Sequence, residues 1–370
     1  MSDRHVDFVV GGVPVPDAYG VELGPAHPAS AGLLRGSLQI RDDTVTSIDP
    51  QPGALHRGVE LILPARDYRQ ALSLVNRHDW QAPFFGEWAL ARLVEKALGI
   101  DVPPRARWLR AIHAERSRVL SHLGYLEYLT WVRQDPALTT RALREDFRRS
   151  SAAWTGNRLH PMIVRLGGIG RDLPPTWISH ESQLWQRAVH LAEALREVAQ
   201  TLPPAIAVVT PDIIGQFGLS GPVARASGVS EDLQRTRNLP SSLADSAQIA
   251  AGPRAGDAAS RFEWLALEII ESVGLLERLQ ESIPEGPVTT HLPKVVKLPE
   301  GDVYTAVAAP LGRATMVVTS RGEKTPWRLR LRTPSGANVS AWTAAVPGTT
   351  VADLPTALAS LPWVAGDLDK

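Results

Sequence analysis

The sequence predicts an α+β fold in which a central antiparallel helix bundle is flanked by small N-terminal and C-terminal β pieces. Apolar residues recur at helical spacing through the middle of the chain, while near both ends they alternate as they do in strands. Gly, Pro and Asp clusters mark the points where one pattern gives way to the other.

Leu33 to Ile40 and Thr44 to Ile48 read as two strands joined at Asp42-Asp43, a hairpin signal. From about residue 85 to 132 the period becomes helical. Leu90, Leu93, Val94 and Leu98 share one face, Gly99 stops the helix, and Pro103-Pro104 starts the next, which continues through Leu109, Ile112, Val119, Leu123 and Leu126. Stretches at about 176–201 and 260–282 keep the same period, the second through Leu265, Ile269, Ile270, Val273 and Leu276. Four long helices favour an antiparallel bundle. Leu219 to Gly256, rich in Gly, Ser and Pro, reads as a long surface loop. Strand signals return at Val303 to Val307, Ala314 to Val318 and Trp327 to Leu331. The expected organisation is one integrated domain: a hairpin region over 1–50, a helical core over 51–290 and a β-rich region over 291–370.

The 370 residues are 44% apolar, enough for a sizeable core. Basic and acidic residues balance at 39 each, so no global field draws nucleic acid or an anionic membrane surface. Cysteine is absent, which excludes disulfides, thiolate nucleophiles and Cys-ligated zinc or iron–sulfur clusters. Met1 to Val10 is charged and polar without a signal-peptide core, and no stretch reaches the roughly 18 apolar residues that span a bilayer. The expected location is the cytoplasmic face of the membrane, reached only through partners.

Generic catalytic motifs are missing: there is no phosphate-cradling loop with Lys, no dinucleotide Gly pattern and no zinc-protease His pair. Gly167-Gly168-Ile169-Gly170 and Gly11-Gly12 lack the helix that would have to follow. Of ten histidines, four stand beside Arg or Pro: His27-Pro28, His56-Arg57, Arg77-His78 and His160-Pro161. Arg141, Arg144, Arg148 and Arg149, with Glu145 and Asp146, read as a solvated helix face. Arg328, Arg330 and Arg332 alternate and so share one strand face, as a subunit contact or as plain surface.

Order and phrasing along the whole chain add more. Gly24-Pro25-Ala26-His27-Pro28, followed by Gly32-Leu33-Leu34-Arg35, resembles the opening Gly-Pro-x-His-Pro motif of the D-type subunit family of respiratory complex I, relatives of the nickel-iron hydrogenase large subunit. Leu55-His56-Arg57-Gly58-Val59-Glu60, Asn76-Arg77-His78-Asp79 and Val94-Glu95-Lys96-Ala97-Leu98-Gly99-Ile100 are similar to the motifs that come next. Gly156-Asn157-Arg158-Leu159-His160-Pro161, Arg165-Leu166-Gly167-Gly168, Gly218-Leu219-Ser220-Gly221-Pro222, Arg332-Thr333-Pro334-Ser335 and the closing Gly366-Asp367-Leu368-Asp369-Lys370 complete the set in collinear order.

The resemblance implies a nickel-iron hydrogenase large-subunit-like fold. Hydrogenase chemistry itself needs thiolates for its soft metals, and none exist here. What is implied instead is a quinone-headgroup cavity next to the terminal iron–sulfur cluster of a partner subunit, with quinone at the interface and no cofactor held by this chain alone. Arg77 and His160 fall on the family's Arg and His near that cluster, and His56 and Arg57 on a supporting stretch. The family's quinone-binding His is Ala31 here, its partner Tyr is Trp80, and its acidic residue is Val132. Ala31 offers no donor, and the Trp80 indole N–H does not release its proton at neutral pH. His78 and His27 are the candidates to substitute. The implied partners are the iron–sulfur subunit, other peripheral-arm subunits and membrane-arm subunits of an NADH-quinone oxidoreductase, with no nucleic acid and with the NADH site elsewhere. The alternative is a structural adaptor with a decayed quinone site in a complex I-related or hydrogenase-related membrane assembly.

Overall fold

A computed structural model describes residues 4–12, 15–230 and 251–370. Strands β1 (Arg4–Val10), β2 (Tyr19–Val21), β3 (Leu34–Arg41) and β4 (Thr44–Gln51) form a sheet of order β2-β1-β3-β4. The expected hairpin is β3–β4, with Asp42 and Asp43 at φ 49° and 62°, the left-handed pair that a tight two-residue turn requires. Strand β1 pairs antiparallel with β3, although Met1 to Val10 reads only as charged and polar. Its buried end, Phe8-Val9-Val10, is too short to show a period. Gly36 lets the strands close on the core, since a Cβ there would meet the Asp49 carbonyl at 2.3 Å and the Phe8 ring at 2.5 Å.

The helices follow. α1 (Val59–Ile62) and α2 (Tyr68–Val75) lead in, α2 starting at a capping box between Asp67 and Gln70. α3 (Pro83–Leu98) ends where Gly99 takes φ 61°, and α4 (Pro104–Arg133) starts with Pro104 at its first position, both as the residues predict. α5 (Arg141–Thr155), α6 (Trp177–Gln200), α7 (Pro211–Phe217), α8 (Gly221–Ala226) and α9 (Ala258–Glu281) complete the middle of the chain. α9 runs antiparallel to α4, with Glu115 facing Ser272 and His122 facing Glu268, and antiparallel to α6, with Gln186 facing Glu277 and Gln200 facing Glu263.

Helix α4 is buried nearly all round and carries charge inside. Arg110 forks onto Glu95 at 2.6 and 2.9 Å, and Arg116 reaches Glu181 at 2.5 Å. Such charges are tolerated in a core because each has an opposite partner and further hydrogen bonds. The expected loop from Leu219 to Gly256 is corrected in part: α8 lies inside it and buries Arg225, which bonds Glu268 of α9. Residues 231–250 of that stretch lie outside the described residues.

Between α5 and α6 the short strands β5 (Val164–Arg165) and β6 (Gly168–Ile169) pair with one another. Past α9, β7 (Gly301–Ala309), β8 (Gly312–Ser320) and β9 (Arg328–Arg332) form an antiparallel sheet. β9 buries Leu329 and Leu331 and exposes Arg328, Arg330 and Arg332 on one face. The region expected to be β-rich ends instead in four short helices: α10 (Pro334–Ser340), α11 (Trp342–Ala345), α12 (Leu354–Ser360) and α13 (Ala365–Leu368). Proline in the first turn starts α10 and α12, and Trp342 and Trp363 anchor the segment in the core.

Candidate functional site

The loop from Asn76 to Gln81, between α2 and α3, is the centre of the site. Glu87 of α3 holds it: the carboxylate accepts from the Asn76 amide and from the Met162 and Val164 backbone N–H groups at 2.9 Å each. Burial pushes the Glu87 carboxyl up to about 7. Because Glu87 grips both loops, His160 arrives beside the Asn76–Arg77 peptide and donates through Nδ1 to the Asn76 carbonyl at 3.2 Å. The loop before it is shaped by Asn157, whose side chain accepts from the Leu159 and His160 backbone N–H groups. Arg77 is exposed and His160 is half-buried; burial first, and then the Arg77 charge, hold the imidazole below its ordinary value. Arg77 and His160 are thus brought together.

Trp80 lies at the other end of this loop. Its indole N–H donates to the Arg77 carbonyl at 3.1 Å, and the Arg57 guanidinium stands 5.9 Å over its ring while also donating to the Gly366 carbonyl at 3.1 Å. His56 is exposed next to Arg57, in a segment whose Gly53 and Leu55 N–H groups are held by the Asp369 carboxylate. Beneath Trp80, His78 Nδ1 meets Asp367 Oδ1 at 2.8 Å, and the Ser335 hydroxyl donates to Asp367 Oδ2 at 2.6 Å. Burial works against charge on Asp367, yet its bonds to His78 and Ser335 hold that carboxyl below the usual range. Burial and the Asp367 charge together push Asp79 up to about 7, while it accepts from the Gln81 and Ala82 N–H groups at 3.0 Å each.

His27 is buried at the start of a one-turn 3-10 helix, Pro28–Ala31, with Nδ1 accepting from the Ala29 N–H at 3.2 Å and its ring edge-on to Tyr125 at 5.5 Å. Burial and the Arg144 charge lower it to about 3, so it is a neutral imidazole at physiological pH. Arg144 departs from the solvated face expected for its segment: it is buried, donates to Gln81 Oε1 at 3.0 Å and the Ala26 carbonyl at 3.3 Å, and so joins the His27 turn to the central loop. Arg149 is exposed, as expected. Ala31 is exposed on a turn packed against α13, where a Cβ on Gly32 would sit 2.2 Å from the Ala365 side chain. Val132 is exposed at the end of α4.

A cleft lined by Trp80, Phe84, His113, Arg116, Arg158 and Leu159 opens beside the loop, with about 30 Å³ of room for water, which is the size of one molecule. Among the described residues no group of three or more His, Asp or Glu could hold a metal ion. Glu87, Arg144 and Asp367 are the site residues that sequence reasoning misses as such. The available signal is a carboxylate at Glu87 inside an apolar run from Phe84 to Leu90, since a buried charge demands partners.

Fold and candidate site define a mixed helix-and-sheet protein with a polar corner of Arg, His and carboxylate groups. Residues 134–298 and 293–370 match the family described as respiratory-chain NADH dehydrogenase, 49 Kd subunit. The chain is 38% identical over 363 residues to a D-type NADH-quinone oxidoreductase subunit of Salinispora arenicola, covering 95% of this chain and 93% of that protein. It is 37% identical over 382 residues to the corresponding D-type subunit of Streptomyces coelicolor, covering 98% and 97%. With the D-type NADH-quinone oxidoreductase subunit of Carboxydothermus hydrogenoformans the identity is 32% over 367 residues, covering 94% and 98%. The chain belongs to the family of D-type, or 49 Kd, NADH-quinone oxidoreductase subunits, as its collinear motifs indicate.

Proposed function

We propose that this chain is a peripheral-arm subunit of an NADH-quinone oxidoreductase assembly and forms one wall of a quinone-type cavity completed by an iron–sulfur subunit. The supporting observation is the Arg77–His160 corner, an exposed guanidinium and a half-buried imidazole fixed by one buried carboxylate. A fixed positive charge and a ring N–H at a surface stabilise an electron added to a redox group docked against them. The neighbouring cleft, about 30 Å³, holds no headgroup, so a second wall has to come from a partner. Among the described residues no helix is long and apolar enough to cross a membrane, so membrane attachment falls to membrane-arm subunits. The hydrogenase-like architecture belongs to this reading, with the helices as frame and Cys-free loops where thiolates would stand. Inhibitor-sensitive quinone reduction by the purified assembly tests it. Arg77→Ala and His160→Ala lower that rate by roughly tenfold or more, and unchanged rates in both would sink the reading.

A second reading, a structural adaptor with a decayed quinone site, is favoured by the engagement of the Trp80 indole N–H with the Arg77 carbonyl and by the bare Ala31. On this reading the parent assembly reduces no quinone, and Ala31→His with Trp80→Tyr introduces the activity. Inhibitor-sensitive reduction by the parent counts against it.

A further inference from the structure

Two segments far apart in sequence from the C-terminus meet it at Trp80. The loop from Asn76 to Gln81 carries the indole, and the stretch between β4 and α1 carries the Arg57 guanidinium that stands 5.9 Å over its ring. The first segment is held from several sides: by Glu87 through the Asn76 amide, by Arg144 through Gln81, and by Asp367, whose Oδ1 lies 2.8 Å from His78 Nδ1. The second is different. Residues 53–57 belong to no helix or strand, and all of them but Leu55 are exposed. A stretch without a ladder takes its position from whichever groups capture its backbone N–H donors.

Asp369, the residue after α13, captures two of them. It is buried; its Oδ1 accepts from the Gly53 N–H at 2.7 Å and its Oδ2 from the Leu55 N–H at 2.8 Å. A carboxylate that takes one donor on each oxygen fixes the spacing of the two donors as well as their direction. The clamp is itself anchored, because the Asp369 N–H donates to the Ala365 carbonyl at 2.9 Å. The His56 N–H closes the turn onto the Gly53 carbonyl at 3.1 Å, so Arg57 leaves it in a direction set by the two clamped residues. Helix α13 then meets the guanidinium as well: Arg57 donates to the Gly366 carbonyl at 3.1 Å and to the Arg77 carbonyl at 3.4 Å, the same oxygen that accepts the Trp80 indole N–H.

We propose that Asp369 is a positioning residue of the candidate site: by clamping Gly53 and Leu55 it sets the Arg57 guanidinium over Trp80. The C-terminal segment thus places the cation on the indole, while the loop from Asn76 to Gln81 places the indole itself. This rests on the proposed function only in treating Trp80 as part of a cavity wall; the clamp is a property of the chain. Asp369 acts on Trp80 through Arg57, two residues beyond Leu55, and the attraction between guanidinium and ring keeps that cation at the wall instead of free in solvent.

Indole NMR of the full chain carrying isotope-labelled tryptophan tests the clamp without quinone or partner. The Trp80 Nε1–H signal is identified by its loss in Trp80→Phe, and the other indole signals report that the fold is kept. Asp369→Ala shifts the Trp80 signal, and Asp369→Asn, which retains one carbonyl oxygen as acceptor, shifts it less. In an Arg57→Gln background neither substitution shifts it further, because the group through which Asp369 acts is gone. A Trp80 signal unmoved by Asp369→Ala, or moved equally with and without Arg57, overturns the proposal. Where Asp369→Ala disturbs the other indole signals too, Asp369→Asn is judged by the same two criteria. An assembly that fails to reduce quinone would sink the functional reading while leaving this result untouched, and a failed cycle would leave the functional reading standing.

Discussion

The His160 imidazole donates to the carbonyl of Asn76, the residue before Arg77, so the ring and the guanidinium share one peptide as a common support. Burial and the Arg77 charge both disfavour imidazolium at His160, burial more strongly. Arg77→Gln therefore raises the His160 pKa toward the ordinary histidine value. A histidine NMR titration of the full chain reads this directly, and an unmoved midpoint would show that the two groups are not electrostatically coupled.

Glu87 makes this pairing depend on pH through stability. Its carboxyl is raised by burial from an ordinary 4.5 to about 7, so the folded state holds its proton more tightly than the unfolded chain does. The associated stabilisation is complete below about pH 4.5 and is lost as pH rises to about 7. At 1.36 kcal/mol per pH unit this amounts to about 3 kcal/mol at most. Glu87→Gln removes that slope, so the stability difference between parent and variant changes across this window in urea titrations. Asp79 titrates in the same range in both proteins and cancels in the comparison. A constant difference from pH 4.5 to 8 would place the Glu87 carboxylate outside this role.

Arg144 links the His27 turn to the loop from Asn76 to Gln81. Arg144→Ala leaves Gln81 Oε1 and the Ala26 carbonyl without this donor. The expected cost is about 2 kcal/mol of unfolding free energy from the two lost hydrogen bonds, offset in part because the buried guanidinium itself is costly to desolvate. The same change raises the His27 pKa from its depressed value, since the Arg144 charge is one of the two causes holding it down. A stable variant with an unaltered His27 titration would mean that the two loops are held by other contacts.

Legibility in the sequence follows how local each cause is. The stop at Gly99, the restart at Pro104 and the turn at Asp42-Asp43 are readable because single residues set their backbone conformation. Helices α6 and α9 are readable because their apolar period is long. Strand β1 is not, since the three buried residues at its end acquire meaning only by pairing with β3. The C-terminal helices α10 to α13 are each seven residues or fewer, too short for a period to emerge. Motif order singles out Arg77 and His160, which the fold brings together, whereas Arg144 reads as part of a solvated face because it stands among charges of both signs. One turn of helix separates a buried cation from an exposed one, and only the tertiary fold says which is which. The bond between His78 and Asp367 spans 289 positions in sequence, a distance over which composition and spacing carry no information.

Gly366 shows how closely the C-terminus is fitted to the site. A Cβ there would lie 2.6 Å from the His78 carbonyl and from the Trp80 indole nitrogen, far inside van der Waals contact. Gly366→Ala must therefore displace α13 or rotate Trp80, which strains the indole bond to the Arg77 carbonyl and the Arg57 bond to the Gly366 carbonyl. The expected destabilisation is about 1–3 kcal/mol, as for other overpacked sites. A double-mutant cycle identifies the neighbour that gives way: in a Trp80→Ala background the cost of Gly366→Ala falls by about 0.5 kcal/mol or more, because half of the obstruction has been removed. If the cost is the same with and without the indole, the backbone at His78 is the sole obstacle, and Trp80 owes its position to Arg57 and Arg77 alone.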